Sequence, residues 1–270
     1  MMGKYLIPFA LWMSIMCYAT AQVGISASPM QLQFNMAKGG AQQMNILVSN
    51  PDTGSIQIAA SIADWFRDSM GVIHYAKPGE LVNSCSSWLK ILPGTQFSLG
   101  PHETKQVTIN LQVPGRIADT MANSMILFTQ LNSMKAKQQH GMNILLTVRI
   151  GVQVFYTPPG IHQRGIEINN FIDTVSTVKN ADNSKKLLLT LHNTGNVETD
   201  GKVNFELHNL STGEKITLPE KRFYTLPGAT YVVEIALPAG FAKGDYSATA
   251  LVDYGQEYEL KIGELQFKQK

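Results

Sequence analysis

The stretch Gly141–Gly160, GMNILLTVRIGVQVFYTPPG, decides how the rest of the chain is read. Every even position from Met142 to Val154 is apolar: Met142, Ile144, Leu146, Val148, Ile150, Val152 and Val154. The odd positions mix Asn143, Thr147, Arg149, Gly151 and Gln153 with Leu145 and Phe155. Side chains on a strand alternate faces, so this pattern predicts one long β-strand with a wholly apolar face. At ~3.3 Å per residue a strand over 142–154 reaches roughly 43 Å, about twice the usual length. A strand of that length either spans two packed layers or offers part of itself to a partner. Thr157-Pro158-Pro159-Gly160 ends it, because proline removes ladder donors and glycine frees the backbone.

Working outward, the same grammar fills both sides of that break. Before it, short alternating or β-branched runs cover 24–35, 43–49, 55–64, 87–92, 104–113 and 124–131. Gly, Pro, Asn and Asp punctuate them. Residues 65–75 carry an Asp68-Ser69-Met70-Gly71 turn and read as a strand bending into a hairpin, and 132–140 reads as a polar loop. After the break, runs at 165–178, 186–192, 201–210, 222–226, 230–237, 246–254 and 258–267 repeat the pattern. Nothing shows sustained 3.6-residue periodicity. The expected fold is all-β, two β-sandwich domains in tandem over 22–157 and 161–270, with 158–160 as the linker.

Residues 1–21 read as a cleaved signal peptide. Lys4 supplies the positive end, 6–18 the apolar core, and Ala19-Thr20-Ala21 the small-x-small cleavage pattern. Lipidation at Cys17 is the alternative, disfavoured by the bulky Met16 before it. The signal implies export, with no membrane insertion of the mature chain. The full chain has 22 basic and 20 acidic residues, and losing Lys4 leaves 21 against 20, a net +1. So balanced a charge argues against nucleic acid or an anionic membrane as partner. Of two cysteines only Cys85 remains after cleavage, so no internal disulfide is available.

The chemistry of catalysis is missing from the pattern. The six histidines, His74, His102, His140, His162, His192 and His208, fall mostly in or beside turns. They show no zinc-protease spacing, and no nucleophile elbow or phosphate loop occurs. Asp64 and Asp68 are the nearest thing to paired carboxylates, but i and i+4 on a strand lie ~13 Å apart, so both read as turn residues. Asn209-Leu210-Ser211 is a glycosylation sequon of the kind that arises by chance. The expectation is a binding protein, not an enzyme, with no catalytic residues, metal or cofactor.

Several stretches resemble the periplasmic chaperones of pilus assembly, a PapD-like family of immunoglobulin-like sandwiches. Arg149–Pro158 is similar to the end of that family's last N-domain strand, and Leu32-Gln33-Phe34-Asn35 to its first. Leu47–Asn50 is similar to the second strand and Ser124–Phe128 to the penultimate one. The resemblance covers about 22–158 and implies the bacterial periplasm as compartment and a client subunit of a pilus or cell-surface assembly, captured by edge-strand donation. The residues it places against the client are Met142, Ile144, Leu146 and Val148. The family anchors its client's terminal carboxylate on an Arg and a Lys, and the matching positions here are Gln31 and Gln153, both neutral. Thr157 likewise replaces a family Arg. Two alternatives remain open at this point. The apolar face of 142–154 fills the chain's own sandwich equally well, and the protein could be a non-chaperone scaffold of a cell-envelope assembly.

Overall fold

The structure is a computed structural model that describes residues 24–132, 134–135, 145–160, 162–175, 185–238 and 240–269. Met142, Ile144 and the expected signal peptide lie outside the described residues. Strands come in chain order as β1 (Ser26–Ser28), β2 (Gln31–Asn35), β3 (Ala41–Ser49), β4 (Ile56–Arg67), β5 (Ile73–Ala76), β6 (Leu89–Leu92), β7 (Gln96–Leu99), β8 (Thr104–Gln112) and β9 (Ala122–Gln130). The two-residue pieces β10 (Met134–Lys135) and β11 (Leu145–Leu146) precede β12 (Arg149–Thr157).

One sheet runs β1-β3-β8-β6 and the facing sheet β2-β12-β9-β4, with β5 and β7 on β4. With β1, β3, β4, β6, β8, β9 and β12 lettered A to G, the sheets are A-B-E-D and G-F-C, the immunoglobulin arrangement. Among the described residues only β2 against β12 is a parallel strand pair, with Gln31 opposite Gln153 and Asn35 opposite Thr157.

The run 24–35 is thus not one strand. Pro29 has no N–H to give a ladder, and at that point the chain crosses from the β3 edge to the β12 edge. The inner faces interdigitate as one core that includes Leu32, Phe34, Ile46, Val48, Ile58, Ile109, Ile126 and Phe128. Cys85 lies in this core with no exposure, a small buried side chain. Burial pushes its thiol up to about 12, so the thiolate that reacts is scarce at neutral pH. A thiol reagent at pH 8 should therefore label Cys85 only after denaturant is added. Labelling of the native protein within minutes would contradict this packing.

The second sandwich has β13 (Ile166–Val175), β14 (Lys185–Asn193), β15 (Thr199–Asn209), β16 (Lys215–Thr217), β17 (Lys221–Thr225), β18 (Thr230–Ala236), β19 (Gly244–Asp253) and β20 (Lys261–Gln269). Its sheets are β13-β14-β18 and β16-β15-β19-β20, with β17 also on β15. That is again A-B-E against C-F-G. A separate core, including Leu189, Phe205, Ala248 and Val252, fills it.

The two sandwiches share a device at the end of the second strand. Asn50 is buried and donates its amide to the carbonyls of Gly54 and Gly100, each at 2.7 Å. Asn193 donates to the carbonyls of Val197 and Thr225 at 3.1 and 3.3 Å. In each case one side chain closes its own turn and ties it to a second segment.

One local reading is corrected here. Asp64 is not a turn residue: it is buried within β4 and accepts bonds from the Leu81 amide and the Ser84 hydroxyl at 2.9 and 2.6 Å. It therefore holds down the loop after β5. Asp68 does make the turn, accepting from the amides of Met70 and Val72 at 2.9 and 3.0 Å and meeting His74 at 2.8 Å. The His74 contact, followed by the Val72 amide, lowers its carboxyl below the usual value. Of the histidines, His74, His192 and His208 lie within strands, His192 and His208 each one residue from its strand's end. Asn209 of the sequon is buried, with its amide on the Tyr246 hydroxyl at 3.2 Å and its carbonyl taking the Ser211 amide.

Candidate client-binding edge

The long strand of the sequence reading is shorter than its alternation suggested. β12 begins at Arg149, and Thr147-Val148 separates it from β11. Val152, Val154 and Tyr156 are buried in the first sandwich's own core, and Ile150 packs against it. Alternation had joined two segments, because it reports which face a side chain takes and not whether the backbone is paired. Phe155 points the other way and meets Trp65 edge-on, ring centroids 5.9 Å apart.

The pairing of β12 is uneven along its length. On one side β9 accompanies it from Arg149 to Tyr156. On the other, β2 begins only at Gln153, because the chain before Pro29 has gone to the other sheet. Residues 149–152 thus have a ladder partner on one side alone among the described residues. Just before them, Val148 accepts the Gln130 amide through its carbonyl at 2.9 Å. Its half-buried side chain rests on Gly24, where a Cβ would come within 2.7 Å of it. Gly24 also has φ +114°, so a larger residue there is disfavoured twice. Of the residues proposed from sequence, Val148 therefore stands beside the one-sided stretch, and Leu146 lies in β11 paired with Met134.

Gln31 and Gln153, separated by more than a hundred residues, come together as direct register partners. They border a shallow groove of about 260 Å³ with Met30, Ile73, Tyr75, Met125 and Gly151. No residue in that set is charged. Sequence reading missed this groove; its one local sign is Gly151, the residue without a side chain amid the alternation.

A larger cleft of about 590 Å³ opens between the sandwiches, with Gln33, Phe34 and Thr157 on one wall and Arg164, Glu198 and Tyr258 on the other. Gln33 reaches across it to Glu198 at 3.2 Å. Arg164 is already engaged, bonded to Asp200 at 2.7 Å and to the Tyr254 carbonyl at 3.0 Å. Among the described residues no group of three or more His, Cys, Asp or Glu could share a metal ion. No helix there is long and apolar enough to cross a membrane.

Solved structures match this chain at low sequence identity. The chaperone–tip adhesin complex of CFA/I fimbriae biogenesis contains a chain 11% identical, matched over 90% of this chain and 98% of that one, TM-score 0.48. The similarity is to fimbrial chaperones. The Escherichia coli chaperone DraB is 14% identical over 92% of this chain and 98% of its own, TM-score 0.46. The CsuC–CsuE chaperone–tip subunit complex of Acinetobacter baumannii Csu pili gives 14%, 90%, 98% and 0.44 in the same order. No family model and no curated protein matches the sequence.

Proposed function

We propose that this protein is a pilus-assembly-type chaperone of the periplasm, not an enzyme, that holds a subunit of a pilus or cell-surface assembly by edge-strand addition. The observation that carries the reading is the one-sided ladder of residues 149–152, continuous with Val148. An unpaired edge supplies backbone hydrogen bonds, and alternate side chains supply the contacts that choose a partner. A client strand added there would lie in line with β2 and fill the place the chain vacates at Pro29. The residues before it, Met142, Ile144 and Leu146, extend the same donated segment in this reading. The neutral Gln31–Gln153 pair favours the second reading, a scaffold that uses both sandwiches as interaction surfaces, because neither amide attracts a chain-end carboxylate.

Capture of tagged protein from the periplasmic fraction tests the choice. The chaperone reading expects one subunit with an incomplete sandwich per chain, displaced by a peptide copying residues 142–150. Recovery of the chain with no such subunit, or with one that the peptide leaves in place, goes against it. Export itself is read from intact mass: the mature chain should begin at Gln22. Retention of Met1, or a lipidated start at Cys17, would contradict export by this signal.

A further inference from the structure

Gly151 belongs both to the one-sided stretch of β12 and to the groove on the outer face of that sheet. Residues directly opposite each other on neighbouring strands point to the same face. Whatever residue of an added strand lies opposite Gly151 therefore projects its side chain over the groove. In β2 that place would fall two residues before Gln31, at Pro29, where the chain has already turned to the other sheet. Neither Gly151 nor β2 supplies a side chain to cover the spot.

The walls state what would fit. Met125 leans into the gap left by Gly151, where a Cβ would lie 2.8 Å from its sulfur, and a thioether adapts readily to a new neighbour. Ile73 and Tyr75 form the far wall from the β4–β5 hairpin, and Met30 closes the near end. Met30 and Tyr75 are each 52% exposed, so both hold apolar surface that an occupant would cover. Among the described residues that line it, the only polar side-chain groups besides the Tyr75 hydroxyl are the two amides of Gln31 and Gln153. With no cation among the lining residues, a carboxylate entering here would lose its water without gaining a counter-charge.

On the edge-addition reading above, we propose that this groove receives one large uncharged apolar side chain, aromatic or branched, from the client strand paired with β12. The site then reads an internal, neutral stretch of polypeptide and not a chain end bearing a carboxylate. A cavity of about 260 Å³ has room for such a side chain. Gln31 and Gln153 flank that side chain and offer amide hydrogen bonds to the client segment.

The test uses the full mature chain and synthetic nine-residue peptides of alternating Val and Thr, acetylated, with Phe or Ser at the central position. Each is made as free acid and as C-terminal amide, and binding is read by fluorescence anisotropy. The Phe peptide should bind about tenfold more tightly than the Ser peptide, the scale of burying part of one aromatic side chain. Free acid and amide should agree within about twofold. Tyr75→Ser, on an exposed position that leaves the core intact, should cut the Phe preference to about twofold and leave the Ser peptide unchanged. Gly151→Leu, which fills the groove, should do the same.

Equal binding of Phe and Ser peptides, a tenfold preference for the free acid, or a Phe preference untouched by Tyr75→Ser would each overturn the groove assignment. Val148→Glu separates the two readings. If it removes binding of all peptides while Phe and Ser had bound alike, edge addition stands and the groove falls. If no peptide binds the unaltered chain, both fall.

Discussion

Replacing Trp65 with alanine is expected to cost about 3–5 kcal/mol, the range for removing a fully buried aromatic side chain. Trp65 has no exposed surface, and its indole N–H donates to the Ser124 carbonyl at 3.0 Å. Its ring meets Phe155 edge-on and lies under the Arg67 guanidinium, whose centre is 5.8 Å from the ring centroid. Arg67 also stands 5.3 Å from the ring of Tyr224 in the second sandwich. Truncation thus opens a cavity, removes the indole's hydrogen bond to the Ser124 carbonyl and takes one side of a cation–π contact. The buried cluster around it includes Val197 and Leu226 of the second sandwich, so the loss falls on the seam between the two. Calorimetry should show a melting temperature lower by about 10 °C or more, with the two sandwiches unfolding less cooperatively. Phe66→Ala is the comparison: its ring is 41% exposed and stacked on His74, so about 1 kcal/mol or less is expected. A Trp65 variant no less stable than that would contradict the account of the seam.

The strands were legible because alternation and turn residues are local signals. The Asp68–Gly71 turn and the Thr157–Gly160 break are marked without help from the rest of the chain. Pairing is not local, and there the sequence fell short. The run 24–35 reads as one strand, and only the sheets on either side reveal that Pro29 divides it between them. The face through Val152 and Val154 was read without knowing whether it met a partner or its own core, and from Ile150 onward it meets its own core. Asp64 looked like a turn residue because its donors, Leu81 and Ser84, arrive from a loop that folds back over β4. β16 went unread, three residues being too few to show a period. At the site, the pairing of Gln31 with Gln153 was legible through the family resemblance. The groove between them was not, since Ile73 and Tyr75 come from a distant hairpin.

Val148→Glu carries the largest functional effect expected of a single change. Val148 is half-buried, outside the core cluster and next to the one-sided stretch of β12. In the free protein a glutamate there can turn its carboxylate toward water, so the fold should lose about 1 kcal/mol or less. With a client strand seated on the edge, the same carboxylate is trapped in an apolar contact without a counter-charge. That costs several kcal/mol, enough to reduce binding by a factor of a thousand or more. Val152→Glu is the contrasting change, because Val152 is fully buried and a charge in the sandwich core should prevent folding at ordinary temperature.

The decisive measurement is therefore made on one variant in two ways: the melting temperature of Val148→Glu, and its capture of the client subunit from the periplasmic fraction. Edge addition predicts a melting temperature within about 4 °C of the unaltered protein together with loss of the subunit. A folded variant that still carries the subunit, or one that unfolds as Val152→Glu does, would contradict it.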